Sequence, residues 1–127
     1  MKQGKITMPP DILIESHELA VVNILARNGH DVEFIKPSQT RGIKKPDIIM
    51  DGKRWEIKSP KGKSSRTIEN NLRAALLQSP NIIIDLSRIK LSDVKCIPEV
   101  KRQFKLSSKM KTIKIVTKKQ KTIDLNR

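Results

Sequence analysis

Apolar residues recur along this chain at two spacings, one near 3.6 residues and one of 2, and the switches between them lay out the elements. From Ile12 to Asn28, Leu13, Leu19, Val21, Val22, Ile24, Leu25 and Ala26 fit one broad helical stripe. Pro10 or Asp11 opens that helix, and Gly29 after Asn28 stops it. His30 to Ile35 then alternates as a strand, with Val32 and either Phe34 or Ile35 inward. Ile48, Ile49 and Met50 form an apolar arm, Asp51-Gly52 is a hairpin turn, and Trp55 and Ile57 alternate on the return arm. A second helix runs from Thr67 to Ser79 on Ile68, Leu72, Ala75, Leu76 and Leu77, capped by Ser64 or Ser65 and ended by Pro80.

Ile82-Ile83-Ile84, inside Asn81 to Leu86, is a β-branched run suited to a strand covered on both faces. Between Ser87 and Lys105 the pattern is weaker. It predicts one short helix from Ser92-Asp93-Val94 and another from Pro98-Glu99 through Gln103. Met110 to Val116 alternates, Lys118 to Lys121 turns, and Thr122 to Leu125 returns as a terminal hairpin. Met1 to Thr7 is a basic lead-in without a pattern. The expectation is an α/β domain, a mixed sheet flanked by helices with a C-terminal β-hairpin, occupying residues 1–127 as a single unit. No repeat and no Gly/Ser linker argues for a second domain.

Composition narrows the classes. No apolar run approaches the ~18 residues of a membrane span, and the polar start is no signal peptide. A single cysteine, Cys96, excludes an internal disulfide and a cysteine-based zinc site, and a reducing cytoplasm is the expected working compartment. His17 and His30 lack partners at metal spacing and read as ordinary surface histidines.

Charge changes the picture more. Lys and Arg number 27 against 13 Asp and Glu, a net +14, which is the field a polyanion-binding protein needs. An anionic membrane surface is the alternative, but no long basic amphipathic helix supports it. The aromatics are only Trp55, Phe34 and Phe104, so recognition should rest on phosphates and shape rather than on base stacking. The segment from Ser87 to Arg127 holds 13 basic residues against 3 acidic ones, and its Lys118, Lys119 and Lys121 are candidate phosphate contacts. So are Lys45, in the basic loop from Lys36, and Lys61 and Lys63, in the turn Ser59 to Ser65. That turn lacks the spacing of a nucleotide-binding phosphate loop.

Candidate chemistry lies in the first hairpin. Glu56 and Lys58 are two apart and share a face, while Trp55 and Ile57 take the other. Asp47 enters across the hairpin from that face. Two carboxylates and an ammonium converging at the mouth of a sheet suit Mg²⁺ or Mn²⁺ and a scissile phosphate. Spacing alone equally allows a solvated hairpin with unrelated surface charges.

Pro46-Asp47, a short hairpin and Glu56-Ile57-Lys58 resemble the signature of the PD-(D/E)XK nuclease superfamily. The order helix, strand, Pro-Asp hairpin, Glu-x-Lys, helix, buried strand over residues 12–86 matches its core. The resemblance implies Asp47 and Glu56 as metal ligands and Lys58 as a catalytic residue. It also implies a carboxylate from the first helix, some eleven positions before its terminal glycine. Glu18 stands there relative to Gly29, with Glu15 as fallback; both also suit the positive end of the helix dipole. Residues of the second helix, above all Asn70 and Gln78 and beside them Arg66 and Arg73, are implied in substrate positioning.

Within the superfamily the chain looks like the C-terminal nuclease domains of contact-dependent growth inhibition toxins, especially the transfer-RNA nucleases. Lys45-Pro46-Asp47, Trp55-Glu56-Ile57-Lys58, the Asn70/Gln78 helix leading into Ile82 to Leu86, and the last hairpin carry that likeness. It implies a metal-dependent endonuclease hydrolysing phosphodiester bonds of structured RNA. It further implies delivery at the end of a secreted polypeptide, action in the cytoplasm, and a dedicated immunity protein. The chain opens on Met1, as a cut-out domain or a free-standing relative would. A DNA endonuclease or Holliday junction resolvase would use the same triad, and a non-catalytic nucleic-acid-binding module would keep the basic half without it.

Overall fold

The computed structural model describes residues 2–10, 12–35 and 47–127. In chain order the elements are β1 (Ile6–Thr7), α1 (Ser16–Arg27), β2 (Val32–Phe34), β3 (Ile48–Met50), β4 (Lys53–Lys58), α2 (Arg66–Leu76), β5 (Asn81–Asp85), α3 (Asp93–Leu106), β6 (Thr112–Val116) and β7 (Thr122–Asn126). Among the described residues the strands form one seven-stranded mixed sheet in the order β1 to β7. β4, β5 and β6 run parallel at its centre, while β3 and β7 flank them antiparallel. The expected mixed α/β architecture with a C-terminal hairpin is what the chain adopts.

Two cores explain the layers. Val21, Val22 and Leu25 of α1 pack on Val32, Ile48, Trp55, Ile57 and Ile83 on one face of the sheet. Ile68 and Leu72 of α2 and Val100 and Phe104 of α3 pack on Ile82, Ile84, Ile113 and Ile115 on the other. Ile83 thus faces opposite to Ile82 and Ile84, and the β-branched run is buried on both faces as its composition predicts. The β3–β4 turn holds Asp51 and Gly52 at φ 54° and 75°, the left-handed pair a two-residue hairpin needs. Trp55 Nε1 donates to the Met50 carbonyl at 3.0 Å, which satisfies the indole where it is buried.

Three expectations are corrected. The first helix begins at Ser16, not at Pro10, and Asp11 lies outside the described residues. Ile12 and Ile14 pack toward the α1 core while Leu13, a member of the expected helical stripe, is 96% exposed, so the chain alternates here with a period of 2. The unpatterned lead-in contains a short strand, because Ile6 and Thr7 pair in parallel with Val32 and Glu33. The two short helices after Ser92 are one, α3, which continues through Pro98. The missing Pro98 amide would have served the carbonyl of Val94, a residue 83% exposed where water can replace the bond. Cys96, Val100 and Phe104, four apart, hold both halves of α3 on the core.

The C-terminal ends of β4, β5 and β6 and the loops after them meet on one edge of the sheet. The Ser59 hydroxyl reaches Asp85 at 2.9 Å, the Lys90 amide donates to Gly62, and the Lys118 ammonium reaches the carbonyls of Leu86 and Ile89. The start of α1 joins this edge through His17 and Arg88. Parallel strands characteristically present their ligand sites at this end.

Candidate active site

The hairpin places Asp47 just ahead of β3 and Glu56 and Lys58 on the second half of β4. Asp47 donates its amide to Trp55 and accepts the Ile57 amide on Oδ2 at 2.9 Å, so both its backbone and its side chain are fixed to β4. Glu56 is in register with Ile82 and Lys58 with Ile84, away from the face taken by Trp55 and Ile57. Glu56 is only 7% exposed; its Oε2 lies 3.6 Å from Lys58 Nζ and its Oε1 has no partner among the described residues. An unpartnered carboxylate oxygen in such a place is costly unless something else meets it.

The acidity of the cluster follows. Burial first, and then the Asp47 charge, push Glu56 from 4.5 up to about 8, with Lys58 opposing. Burial raises Asp47 as well, against the Ile57 amide, Glu56 and Lys58, which favour its ionised form. Glu18, in the first turn of α1, is pushed up to about 7 by burial, then by Asp47 and Glu15, with Lys58 again opposing. Asp47 raises both glutamates, and Lys58 opposes the rise in all three. Among the described residues the cluster carries more carboxylate than Lys58 balances.

The donors are all oxygens, the set a hard divalent cation prefers. Among the described residues no three His, Cys, Asp or Glu side chains converge closely enough to hold a metal ion as they stand. Asp47, Glu56 and Glu18 nevertheless fit one in chemistry, given the partnerless Oε1 and the excess negative charge.

The remaining predicted residues divide. Lys61 and Lys63 are exposed on the loop after β4, and Lys119 and Lys121 on the β6–β7 turn, both at the strand-end edge. Lys118 shares that edge, but its ammonium is taken by the Leu86 and Ile89 carbonyls. Arg66 and Arg73 are paired with Glu69 at 3.8 and 2.7 Å, and Arg73 lines the groove between α2 and α3 instead of the cluster. Asn70 is exposed on α2. Gln78 follows the far end of that helix, next to Ser79, whose hydroxyl meets the Arg54 carbonyl at 2.7 Å. Arg54 is four residues before Lys58 along β4, about 13 Å. Glu15 stands at the N-cap position of α1, where its side chain bonds no helix amide, and faces His17 at 3.3 Å. Lys45 and the basic loop before it lie outside the described residues.

Sequence reasoning missed four residues on this edge: His17, Ser59, Asp85 and Arg88. His17 was expected to be an ordinary surface residue and is instead bridged between Glu15 and Arg88. The signal available was Asp85-Leu86-Ser87-Arg88, charged and hydroxyl residues directly after a doubly buried strand.

Fold and cluster together define a mixed α/β domain that gathers carboxylates and a lysine on the β3–β4 hairpin and the start of α1. The family model described as the contact-dependent growth inhibition CdiA C-terminal domain matches residues 44–122, more than half of the chain, and the chain belongs to that family of toxin domains. Among solved structures it is similar to the CdiA-CT/CdiI toxin and immunity complex from Burkholderia pseudomallei, at 17% identity and a TM-score of 0.64 over 98% of this chain and 97% of that one. Comparison with curated proteins gives no match. No helix among the described residues is long and apolar enough to cross a membrane.

Proposed function

We propose that this toxin domain is a metal-dependent endonuclease of the PD-(D/E)XK type, acting on structured RNA such as transfer RNA. The observation that carries the reading is Glu56, a buried carboxylate with one oxygen unpartnered, beside Asp47 and within reach of Lys58. Asp47 and Glu56, with Glu18, would hold Mg²⁺ or Mn²⁺. When bound, the ion supplies Lewis-acid stabilisation of the charge that develops on the phosphoryl group. Lys58 holds a scissile phosphate oxygen or the attacking water, its charge offsetting the added negative charge of the transition state. Lys61, Lys63, Lys119 and Lys121 steer the phosphate backbone across the strand ends.

The net charge of +14 supports a polyanionic substrate, and the three aromatic residues argue against reading unpaired bases by stacking. The likeness to a toxin solved with its immunity protein supports a cognate immunity partner, and family membership supports delivery as the end of a larger secreted protein with the cytoplasm as its site of action. Incubating the purified protein with transfer RNA, linear duplex DNA and synthetic four-way junctions in Mg²⁺ tests the reading. Cleavage of transfer RNA first is the expected result. Faster cutting of DNA with transfer RNA untouched would favour a resolvase-like enzyme.

A further inference from the structure

Resting on that nuclease reading, we infer that Arg88 is a positioning residue of the site, fixing the start of α1 against the end of β4. Its Nη2 donates to the Ser59 carbonyl at 2.8 Å, and Ser59 directly follows Lys58. Its Nη1 stands 3.3 Å from His17 Nδ1, and His17 directly precedes Glu18. One planar guanidinium therefore ties together the two chain segments that carry Lys58 and Glu18.

The chemistry of the bridge fixes its polarity. A guanidinium only donates, so His17 Nδ1 accepts and the proton of the neutral ring sits on Nε2. Nε2 faces Glu15 Oε2 at 3.3 Å, which extends the tie to the residue just before α1. Ser59 is held from a second direction. Its hydroxyl donates to Asp85 Oδ2 at 2.9 Å, and Asp85, 2% exposed, also accepts the Ser87 amide and hydroxyl at 3.0 Å each. Carbonyl and hydroxyl of the residue after Lys58 are both spoken for.

Arg88 Nε is buried without a partner among the described residues. A donor left unmatched costs stability, and its retention is understandable if the fork geometry of the two Nη groups is what the position is for. An ammonium donates from a single nitrogen and lacks the planar two-nitrogen fork that meets these acceptors from fixed positions. None of these contacts uses Arg88 on a reacting atom; it acts through Ser59 and His17.

The test uses Arg88→Ala, Arg88→Lys and, because the first may not fold, His17→Ala, which removes only the helix arm. For each, kcat and KM on transfer RNA, Mn²⁺ affinity by titration calorimetry and thermal unfolding are measured on the folded fraction. Positioning predicts kcat lower by about 10- to 100-fold with KM little changed, the cost of a small displacement of reacting groups. Mn²⁺ binding weakens by about tenfold, as for loss of a group that orients ligands. Arg88→Lys falls with Arg88→Ala. Folded variants with the parent's kcat and Mn²⁺ affinity, or losses that merely track the unfolded fraction, overturn the inference alone. A parent protein that neither cuts RNA nor binds Mn²⁺ overturns the nuclease reading, and the positioning role with it.

Discussion

The Asp47 carboxylate accepts the Ile57 amide at 2.9 Å, which locks the first acid of the cluster to the strand that carries the second. The bond sets Asp47 beside Glu56; burial raises both, and Asp47 raises Glu56 further while Glu56 favours the ionised Asp47. Asp47→Asn keeps a carbonyl acceptor for that amide and removes the charge. The variant should fold like the parent while Glu56 titrates nearer its ordinary value, read from its side-chain carboxyl by carbon NMR. Glu56 still titrating near 8 in Asp47→Asn would mean that Asp47 contributes nothing to its shift.

A second prediction concerns pH. Glu56 is raised from 4.5 to about 8 and Glu18 from 4.5 to about 7, so the folded state holds protons that the unfolded chain has released. Their contribution to stability is fully present below 4.5 and is lost as pH rises toward 8. Without divalent cation, Glu56→Gln should melt above the parent at pH 8.5 and with it at pH 4. A Glu56→Gln protein less stable than the parent at pH 8.5 would show that the carboxylate is balanced by contacts other than those seen.

The terminal hairpin contains a separate ion pair. Lys114 is 4% exposed and its Nζ meets Asp124 at 2.5 Å, while Asp124 is mostly solvent-facing. Asp124→Ala leaves a buried ammonium alone and should lower stability by about 2 kcal/mol, discounted for the exposed partner. Lys114→Met, an apolar side chain of similar length, should be close to neutral. Urea denaturation of both variants decides the point.

Binding separates from folding at the β6–β7 turn. Replacing Lys119 and Lys121 by Ala should flatten the dependence of RNA affinity on salt and weaken all sequences alike, because each neutralised phosphate releases counterions. Lys118→Ala should behave otherwise, lowering the melting temperature with little effect on the salt slope, since its ammonium is bound to Leu86 and Ile89. Filter binding over a salt series, with melts of the same proteins, tests the contrast.

The sequence exposed what depends on local pattern. Asp51-Gly52 announced the hairpin, and the period of 2 in Trp55 to Lys58 gave the faces on which Glu56 and Ile57 now stand. Ile82 to Ile84 announced a strand covered on both sides. What it hid depends on contacts between distant segments. Ile6 becomes a strand only by pairing with Val32. Pro98 looked like a helix boundary until Cys96 and Val100 were both buried on one core. Arg88, 71 positions from His17, has no local signature for its tie to α1. Gln78 was drawn toward the site by helix membership, yet its helix runs away from Lys58.

The most direct measurement is cleavage of transfer RNA by the parent and by Glu56→Ala, each in Mg²⁺ or Mn²⁺ and in EDTA. The parent should cut with either metal and stop in EDTA, while Glu56→Ala, folded by circular dichroism, should not cut in any condition. Glu56→Ala cutting as fast as the parent, or a parent equally active in EDTA, would contradict the metal-dependent nuclease reading.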